Sequence, residues 1–248
     1  MSQIQIDGFT DIHTHILPGV DDGSQSLATS LEMIRMARDN GTRRILLTPH
    51  YRGEYRKNTP EHLREVYAQL CSACASQFPE MELYLGNEIF YEPSVPERLE
   101  SGRILTMGDS KYALIEFMSV TPCSQMIRAV SEVTCAGFIP VVAHIERYNN
   151  ARSHPELADE LLDMGAIIQM NADSIMGKHG FQVRRYCHKM LKAGKVHVIG
   201  SDCHNTDHRT PLLRDCFLRV HRKYGAEYAA DLFCCNGRAI VENREIEE

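Results

Sequence analysis

"FTDIHTH", Phe9 to His15, is a β-rich run that closes on two histidines. Side chains on a strand alternate faces, so His13 and His15 point the same way and Thr14 points to the other side. Two imidazoles on one face can share a cation. H-x-H alone is a moderate signal, because a single buried histidine at a strand end is usually a satisfied core residue. Its weight depends on how the other strands end.

They end alike. "RRILLTPH", Arg43 to His50, closes on His50, and "ELYLGNE", Glu82 to Glu88, on Glu88. "YALIEF", Tyr112 to Phe117, carries Glu116, and "PVVAH", Pro140 to His144, closes on His144. "AIIQMN" ends at Asn171, and "VHVIGSD" ends at Asp202 with His204 just beyond. Six of these seven runs end in a metal-ligand residue type. Packing does not explain that pattern, since burying many ionisable groups without counter-charge is very costly.

Between the runs lie amphipathic helices. One starts near Ser26 and stops at Gly41, and Thr59-Pro60 opens another. Thr121-Pro122 starts a third that stops near Gly137. Ser153-His154-Pro155-Glu156 has the spacing of a capping box before a helix that ends at Gly165. A further helix spans about Val183 to Ala193, and two more span roughly Leu212 to Tyr224 and Glu227 to Cys235. Strands alternating with helices indicate a parallel sheet with crossovers. The apolar runs "RILLT", "PVVAH" and "AIIQM" suit strands buried on both faces. No strand–helix turn carries a Gly-rich phosphate fingerprint, and seven units in 248 residues favour a barrel over an open sheet. A β/α barrel gathers the C-terminal ends of its strands into one mouth, where its chemistry belongs.

Imidazoles mixed with carboxylates suit Zn²⁺, Mn²⁺ or Fe rather than a thiolate site. His13, His15, His50, Glu88, Glu116, His144, Asp202 and His204 exceed what one tetrahedral ion needs, so two or three ions are implied with a carboxylate bridging. Asp22 in "GVDDGS" stays open between ligand and turn residue, because Asp21 and Asp22 precede Gly23. Clustered metals generate hydroxide at neutral pH and stabilise phosphoryl transition states. Arg147 and Arg209 follow two of the strand ends and offer planar forks of donors to a phosphate, although either alone reads as a solvated surface arginine.

"GSDCHNTDHR", Gly200 to Arg209, also fits C-x5-R, the spacing of cysteine-dependent phosphatases. The same spacing recurs at Cys216 to Arg222, and the loop lacks the glycines of a phosphate nest. If the strand stays extended, Asp202 and His204 share a face and Cys203 is the spacer. The nine cysteines are odd in number and scattered, as expected of reduced thiols in a cytoplasmic protein. Cys71-x-x-Cys74 falls inside a helix with no second pair beside it. A net charge of −6 argues against a general nucleic-acid or anionic-membrane binder, though a local basic patch is compatible with it. No apolar run is long enough to insert in a bilayer, and "MSQIQIDGF" shows no secretory signal.

With these residues assembled, the sequence resembles the PHP (polymerase and histidinol phosphatase) superfamily. It is most similar to the metal-dependent protein-tyrosine phosphatases of bacterial capsule and exopolysaccharide operons. The matching segments are "DIHTHILPGVDDG", "TPHY", "GNEIFY", "YALIEF", "PVVAHIERY", "HVIGSDCHN" and "LFCCNGRAIVEN". The resemblance implies one PHP domain over residues 1–248, an α/β fold built as a distorted seven-stranded (β/α)7 TIM-like barrel. It implies three divalent metal ions, typically Mn²⁺. His13, His15, Glu88 and Asp202 would hold one ion; Glu88, Glu116 and His144 a second; Asp22, His50 and His204 a third. Arg147 and Arg209 match positions that bind the substrate phosphate. The implied partner is the tyrosine-rich tail of a membrane-associated kinase governing polysaccharide export. The loop from His50 to Asn58 is expected to face the substrate. Three other readings compete: a histidinol-phosphatase-like enzyme for small phosphomonoesters, an amidohydrolase-type barrel, and a non-catalytic metal-dependent regulator. The amidohydrolase reading fits least, since Glu116 stands where those barrels often carry a carbamylated lysine.

Overall fold

The computed structural model describes residues 7–53, 55 and 58–246. Nine strands occur among them: β1 (Phe9–Thr14), β2 (Thr42–Leu47), β3 (His50–Tyr51), β4 (Glu82–Leu85), β5 (Glu88–Phe90), β6 (Tyr112–Glu116), β7 (Ile139–Val142), β8 (Ile167–Asn171) and β9 (Val198–Gly200). All the pairings are parallel. β1, β2 and β4 form one ladder, and β3, β5, β6, β7, β8 and β9 form another. A bridge between Thr14 and Cys203 brings the chain beyond β9 back to β1. The result is a curled parallel sheet with helices outside it.

Two of the seven expected strands are each broken in two. "RRILLTPH" divides into β2 and β3 around Thr48-Pro49, where proline has no N–H to give a ladder. "ELYLGNE" divides into β4 and β5 around Gly86-Asn87. A Cβ on Gly86 would lie 2.9 Å from the Thr106 carbonyl oxygen, so the backbone there needs glycine. The breaks match each other: His50 pairs with Glu88, and the Glu88 N–H donates to the Pro49 carbonyl.

The helices are α1 (Leu27–Asp39), α2 (Pro60–Gln77), α3 (Val95–Glu100), α4 (Cys123–Cys135), α5 (Asn149–Ser153) and α6 (Leu157–Asp163). They continue with α7 (Ala172–Met176), α8 (Phe181–Lys192), α9 (Arg214–Tyr224), α10 (Ala226–Ala230) and α11 (Asn236–Val241). Ser26 and Thr59 cap α1 and α2, each accepting from an N–H three residues on, a contact worth about 1 kcal/mol. α1 faces the sheet with Met33, Ile34 and Ala37, all fully buried. Burying side chains the size of Met33 or Ile34 contributes roughly 1.5–3 kcal/mol each.

One helix expectation fails and another is extended. Ser153 caps nothing: it is the last residue of α5, its hydroxyl donates to the Asn149 carbonyl, and α6 starts at Leu157 without a side-chain cap. The C-terminal helix expected over Glu227 to Cys235 is α10 plus a π-helical turn, Asp231–Cys235, and α11 follows it. Inside the curled sheet, Ile12, Leu46, Leu114, Val141 and Val198 form one buried cluster. Met107 and the α11 residues Ile240 and Val241 complete it. Leu114 lies two residues before Glu116 on the same face, so this apolar layer is the floor beneath the polar mouth.

Candidate metal centre

Apart from Asp22, which lies in the loop between β1 and α1, every ligand-type residue expected from the sequence lies at the C-terminal end of a strand or just beyond it. His13 and His15 do share a face: their Nε2 atoms are 3.4 Å apart. His13 Nε2 is 3.2 Å from Glu88 Oε1, and His15 Nε2 is 3.3 Å from Glu88 Oε2. Ligand atoms about 2.0–2.2 Å from one ion stand roughly 3–4 Å from each other, so these spacings suit a shared cation.

The histidine tautomers fit as well. Asp21 Oδ2 is 2.7 Å from His15 Nδ1, and an ionised carboxylate only accepts, so Nδ1 carries a hydrogen and Nε2 is the atom left for a cation. Gln169 Oε1 stands 3.3 Å from His13 Nδ1 and also accepts from the His144 N–H at 2.6 Å. The Nε2 atoms of His13 and His15 are thereby both turned toward Glu88, where a divalent cation would take the place of any proton between them.

Three tight groups of ligand atoms result: His13, His15 and Glu88; His50, Glu88 and Glu116; and His15, Asp22, His50 and His204. Glu88 belongs to two of them, as a bridging carboxylate would. Asp22 is 3.3 Å from His50 Nε2 and 3.4 Å from His204 Nε2, which places it as a ligand-type neighbour rather than only a turn residue. His144 and Asp202 stand outside the three groups. His144 Nε2 is still 2.8 Å from Glu88 Oε1 and 3.7 Å from Glu116 Oε1. Asp202 Oδ1 is 3.5 Å from His15 Nε2 and 3.8 Å from His13 Nε2, and the same carboxylate is shared with Arg209 at Oδ1 (2.5 Å) and with Arg147 and Asn171 at Oδ2 (3.0 and 2.7 Å).

Orphaned polar atoms supply an independent test of fit. Glu88 Oε2, His50 Nδ1 and His204 Nε2 are buried with no hydrogen-bond partner. His50 Nδ1 approaches Glu88 Oε2 to 2.8 Å without hydrogen-bond geometry. Buried polar atoms left unpaired cost about 1–3 kcal/mol each, and divalent cations would satisfy them. The donor set of imidazole and carboxylate therefore fits a cluster of borderline or hard divalent ions.

The electrostatics point the same way. Burial pushes the Glu88 carboxyl up, but His13, His144 and His15 around it hold it well below the usual range. Glu116 moves in the opposite direction, raised by burial and by the charge on Glu88. His204 and His50 hold Asp22 far below the usual carboxylate range. Burial raises the Asp202 carboxyl, and His13, Arg147 and Arg209 more than reverse that. Left-handed backbone accompanies these contacts at His144 (φ 30°) and Asp202 (φ 52°).

That backbone corrects one expectation. The chain is not extended at Asp202, because β9 stops at Gly200. Asp202 and His204 still meet, with His204 Nδ1 3.6 Å from Asp202 Oδ1, through a turn rather than strand alternation. Cys203 is fully buried in an apolar cluster with Ile16, Leu17 and Leu47, and burial pushes its thiol far above the ordinary value. It cannot present a thiolate at the mouth. Cys71 and Cys74 both lie on α2 as free thiols, and no metal-ligand group among the described residues includes them.

Sequence reasoning missed Asp21, Gln169, Asn171 and Arg52 as parts of the site. A glutamine within the apolar run "AIIQMN" was a visible signal for a buried polar partner. Arg52 lies 3.4 Å from Glu116 Oε2 and 3.8 Å from Asp22 Oδ2, so the loop after β3 does reach the mouth. Residues 54, 56 and 57 of that loop lie outside the described residues.

The family profile described as "Capsular polysaccharide synthesis, CpsB/CapC" matches residues 9–242. The tyrosine-protein phosphatase CpsB of Streptococcus pneumoniae is 34% identical over 242 residues, covering 95% of this chain and 99% of its own. The tyrosine-protein phosphatase YwqE of Bacillus subtilis (strain 168) is 32% identical over 236 residues, covering 95% of this chain and 92% of its own. Crystal structures of YwqE and CpsB are described as those of unique metal-dependent tyrosine phosphatases. A chain from that work superposes with a TM-score of 0.90 at 31% identity, covering 96% of each chain. A phosphotriesterase homology protein from Escherichia coli superposes with a TM-score of 0.60 at 12% identity, a likeness of fold alone.

Proposed function

Since the chain belongs to the CpsB/CapC family of capsular polysaccharide synthesis, we propose that it is a single-domain, metal-dependent protein-tyrosine phosphatase. The observation that carries this reading is the meeting of nine ligand-type side chains with Arg147 and Arg209 at one mouth. Counting each broken pair as one strand makes the curled sheet a distorted (β/α)7 barrel, with that mouth at its C-terminal face.

We assign three divalent ions, Mn²⁺ first, with Fe or Zn²⁺ also compatible with the donor set. His13, His15, Glu88 and Asp202 would hold one; Glu88, Glu116 and His144 a second; Asp22, His50 and His204 a third. Such ions supply Lewis acidity toward phosphoryl oxygens and lower the pKa of bound water. The chain's own groups do the rest. Arg147 and Arg209 grip Asp202 here, and a phosphate dianion offers the same forks a more highly charged partner. Asp21 and Gln169 hold the imidazoles of His15 and His13 in the tautomer that binds. Tyr148 and Phe117 wall the mouth beside His144 and Glu116, limiting water there. A phenol with pKa about 10 is a fair leaving group, so the reaction does not depend on a strong acid.

The substrate protein we favour is a bacterial tyrosine kinase that regulates capsule or exopolysaccharide, met in the cytoplasm. No described helix is long and apolar enough to cross a membrane. The deciding experiment strips the protein with EDTA, restores Mn²⁺, and compares a phosphotyrosine peptide with histidinol phosphate. Turnover of the peptide that is lost on stripping and returns with Mn²⁺ supports the proposal. Activity indifferent to stripping sinks the metal assignment, and a preference for histidinol phosphate sinks the substrate assignment.

A further inference from the structure

The chain is acidic overall, yet two neighbouring helices are not. α8 carries Arg184, Arg185, Lys189 and Lys192 and no acid. α9 carries Arg214, Arg219, Arg222 and Lys223 against one acid, Asp215. Eight cations against one acid make the pair net +7 in a chain of net −6, which leaves −13 for everything else. The helices touch, since His188 Nδ1 is 2.8 Å from the Tyr224 hydroxyl.

Several other helices pair cations with acids of their own. Arg35 and Arg38 of α1 sit on Glu32 and Asp39, Arg128 of α4 on Glu132, and Arg238 of α11 on Glu242. Among the described residues, the cations of α8 and the Arg219, Arg222 and Lys223 cations of α9 have no ion pair. Their shape is concave as well as basic. A cavity of about 590 Å³ between the helices is lined by Arg184, Arg219, Arg222 and Lys223, with His188 and Asp215. A second, of about 830 Å³, is lined by Arg152, Arg185 and Lys189. His188 is held below its ordinary pKa by burial and then by Lys223, Arg184 and Arg219, as uncompensated positive potential requires.

Two apolar side chains stand among these charges. Phe181, at the start of α8, is 78% exposed, and Leu218 of α9 is 46% exposed. Water makes both positions unfavourable, and a purely acidic ligand would satisfy only the cations. Basic residues interleaved with protruding apolar ones suit the boundary between lipid headgroups and acyl chains. We propose that the α8–α9 face docks peripherally on an anionic phospholipid surface, with headgroup phosphates at the two basic cavities and Phe181 and Leu218 entering the interface. This surface stands on its own observations, independently of the phosphatase reading.

The test uses the metal-loaded full chain and vesicles of phosphatidylcholine, alone or with a third of the lipid as phosphatidylglycerol. The protein should sediment with the phosphatidylglycerol vesicles only, and less so as salt rises. R219E/R222E should weaken that binding by about tenfold or more, since each basic residue near the surface contributes comparably. Phe181→Ala should weaken it several-fold, while turnover of a soluble phosphotyrosine peptide stays unchanged in both variants. If R219E/R222E proves poorly folded by circular dichroism, R184E/K189E on the other helix serves instead. Equal sedimentation with both vesicle types overturns the proposal. So does binding to polyglutamate with none to vesicles, which would make the face an acidic-protein site.

Discussion

Asp21 and His15 form a fully buried pair, with Oδ2 2.7 Å from Nδ1. Asp21 also accepts from the N–H groups of Gly23 and His50, so one carboxylate fixes the imidazole of one candidate ligand and the backbone of a second. Asp21→Asn should therefore lower metal affinity by about 10–100-fold while the ligands themselves remain. Isothermal titration of stripped protein with Mn²⁺ measures it, and unchanged affinity would deny Asp21 this role.

The same pair gives the metal-free protein a pH signature. Burial pushes His15 down, but Asp21 and Glu88 outweigh it and bring the imidazole up to about 10. Burial likewise lowers His50, and Asp22 and Glu88 bring it up to about 9. The unfolded value is about 6.5, so the stabilisation is complete below about 6.5 and is lost as pH rises through 9 to 10. Metal binding needs these imidazoles deprotonated and so strengthens over the same range. The Tm gap between Mn²⁺-loaded and stripped protein should widen with pH. Calorimetry showing a constant gap would contradict this.

Replacing the arginines separates phosphate binding from metal binding. Arg209→Ala or Arg147→Ala removes a charge-assisted contact worth about 1.5–3 kcal/mol, so KM should rise roughly 10–100-fold with metal content unchanged. His13→Ala and Asp202→Ala should instead abolish turnover, with His13→Ala losing metal as well. Full activity of His13→Ala after Mn²⁺ repletion would mean the ions lie elsewhere.

Cys203→Ser should keep most turnover and lose stability by about 1–3 kcal/mol, because it places a hydroxyl in an apolar pocket. Iodoacetamide at neutral pH should label the exposed Cys135 and Cys235 and spare Cys203. Alkylation of Cys203 in step with loss of activity would revive a thiolate mechanism.

A methyl group at Gly200 would lie 2.7 Å from His13 Cβ and 3.3 Å from Gln169 Nε2. Gly200→Ala should cost about 1–3 kcal/mol through overpacking and tilt His13 off its partners. Reduced Mn²⁺ occupancy by metal analysis is the expected result, and full occupancy would show that β1 yields instead.

The candidate ligands that the structure brings together were legible in the sequence because strand ends announce themselves: an apolar run stops, and an imidazole or carboxylate follows. Asp21 and Gln169 were less legible because they touch ligand side chains, and nothing in local spacing separates such a partner from a turn aspartate or a stray glutamine. Ser153 misled because a capping-box spacing is equally available to the last residue of the preceding helix. The broken strands had local signs in Pro49 and Gly86-Asn87. Their alignment side by side is a tertiary fact, and no single stretch contains it.

That alignment separates the mouth from the body of the sheet. β3 and β5 are joined by only two residue pairs, His50–Glu88 and Tyr51–Ile89, whereas β2 and β4 are joined by four deeper down. The short upper ladder can open on its own while the lower one stays shut. Ions held at the mouth would then have a route in and out that leaves the fold intact. Backbone amides of β3, which pairs only with β5, should exchange with solvent well before those of β2, and the exchange of any metal held at the mouth should keep pace with the former.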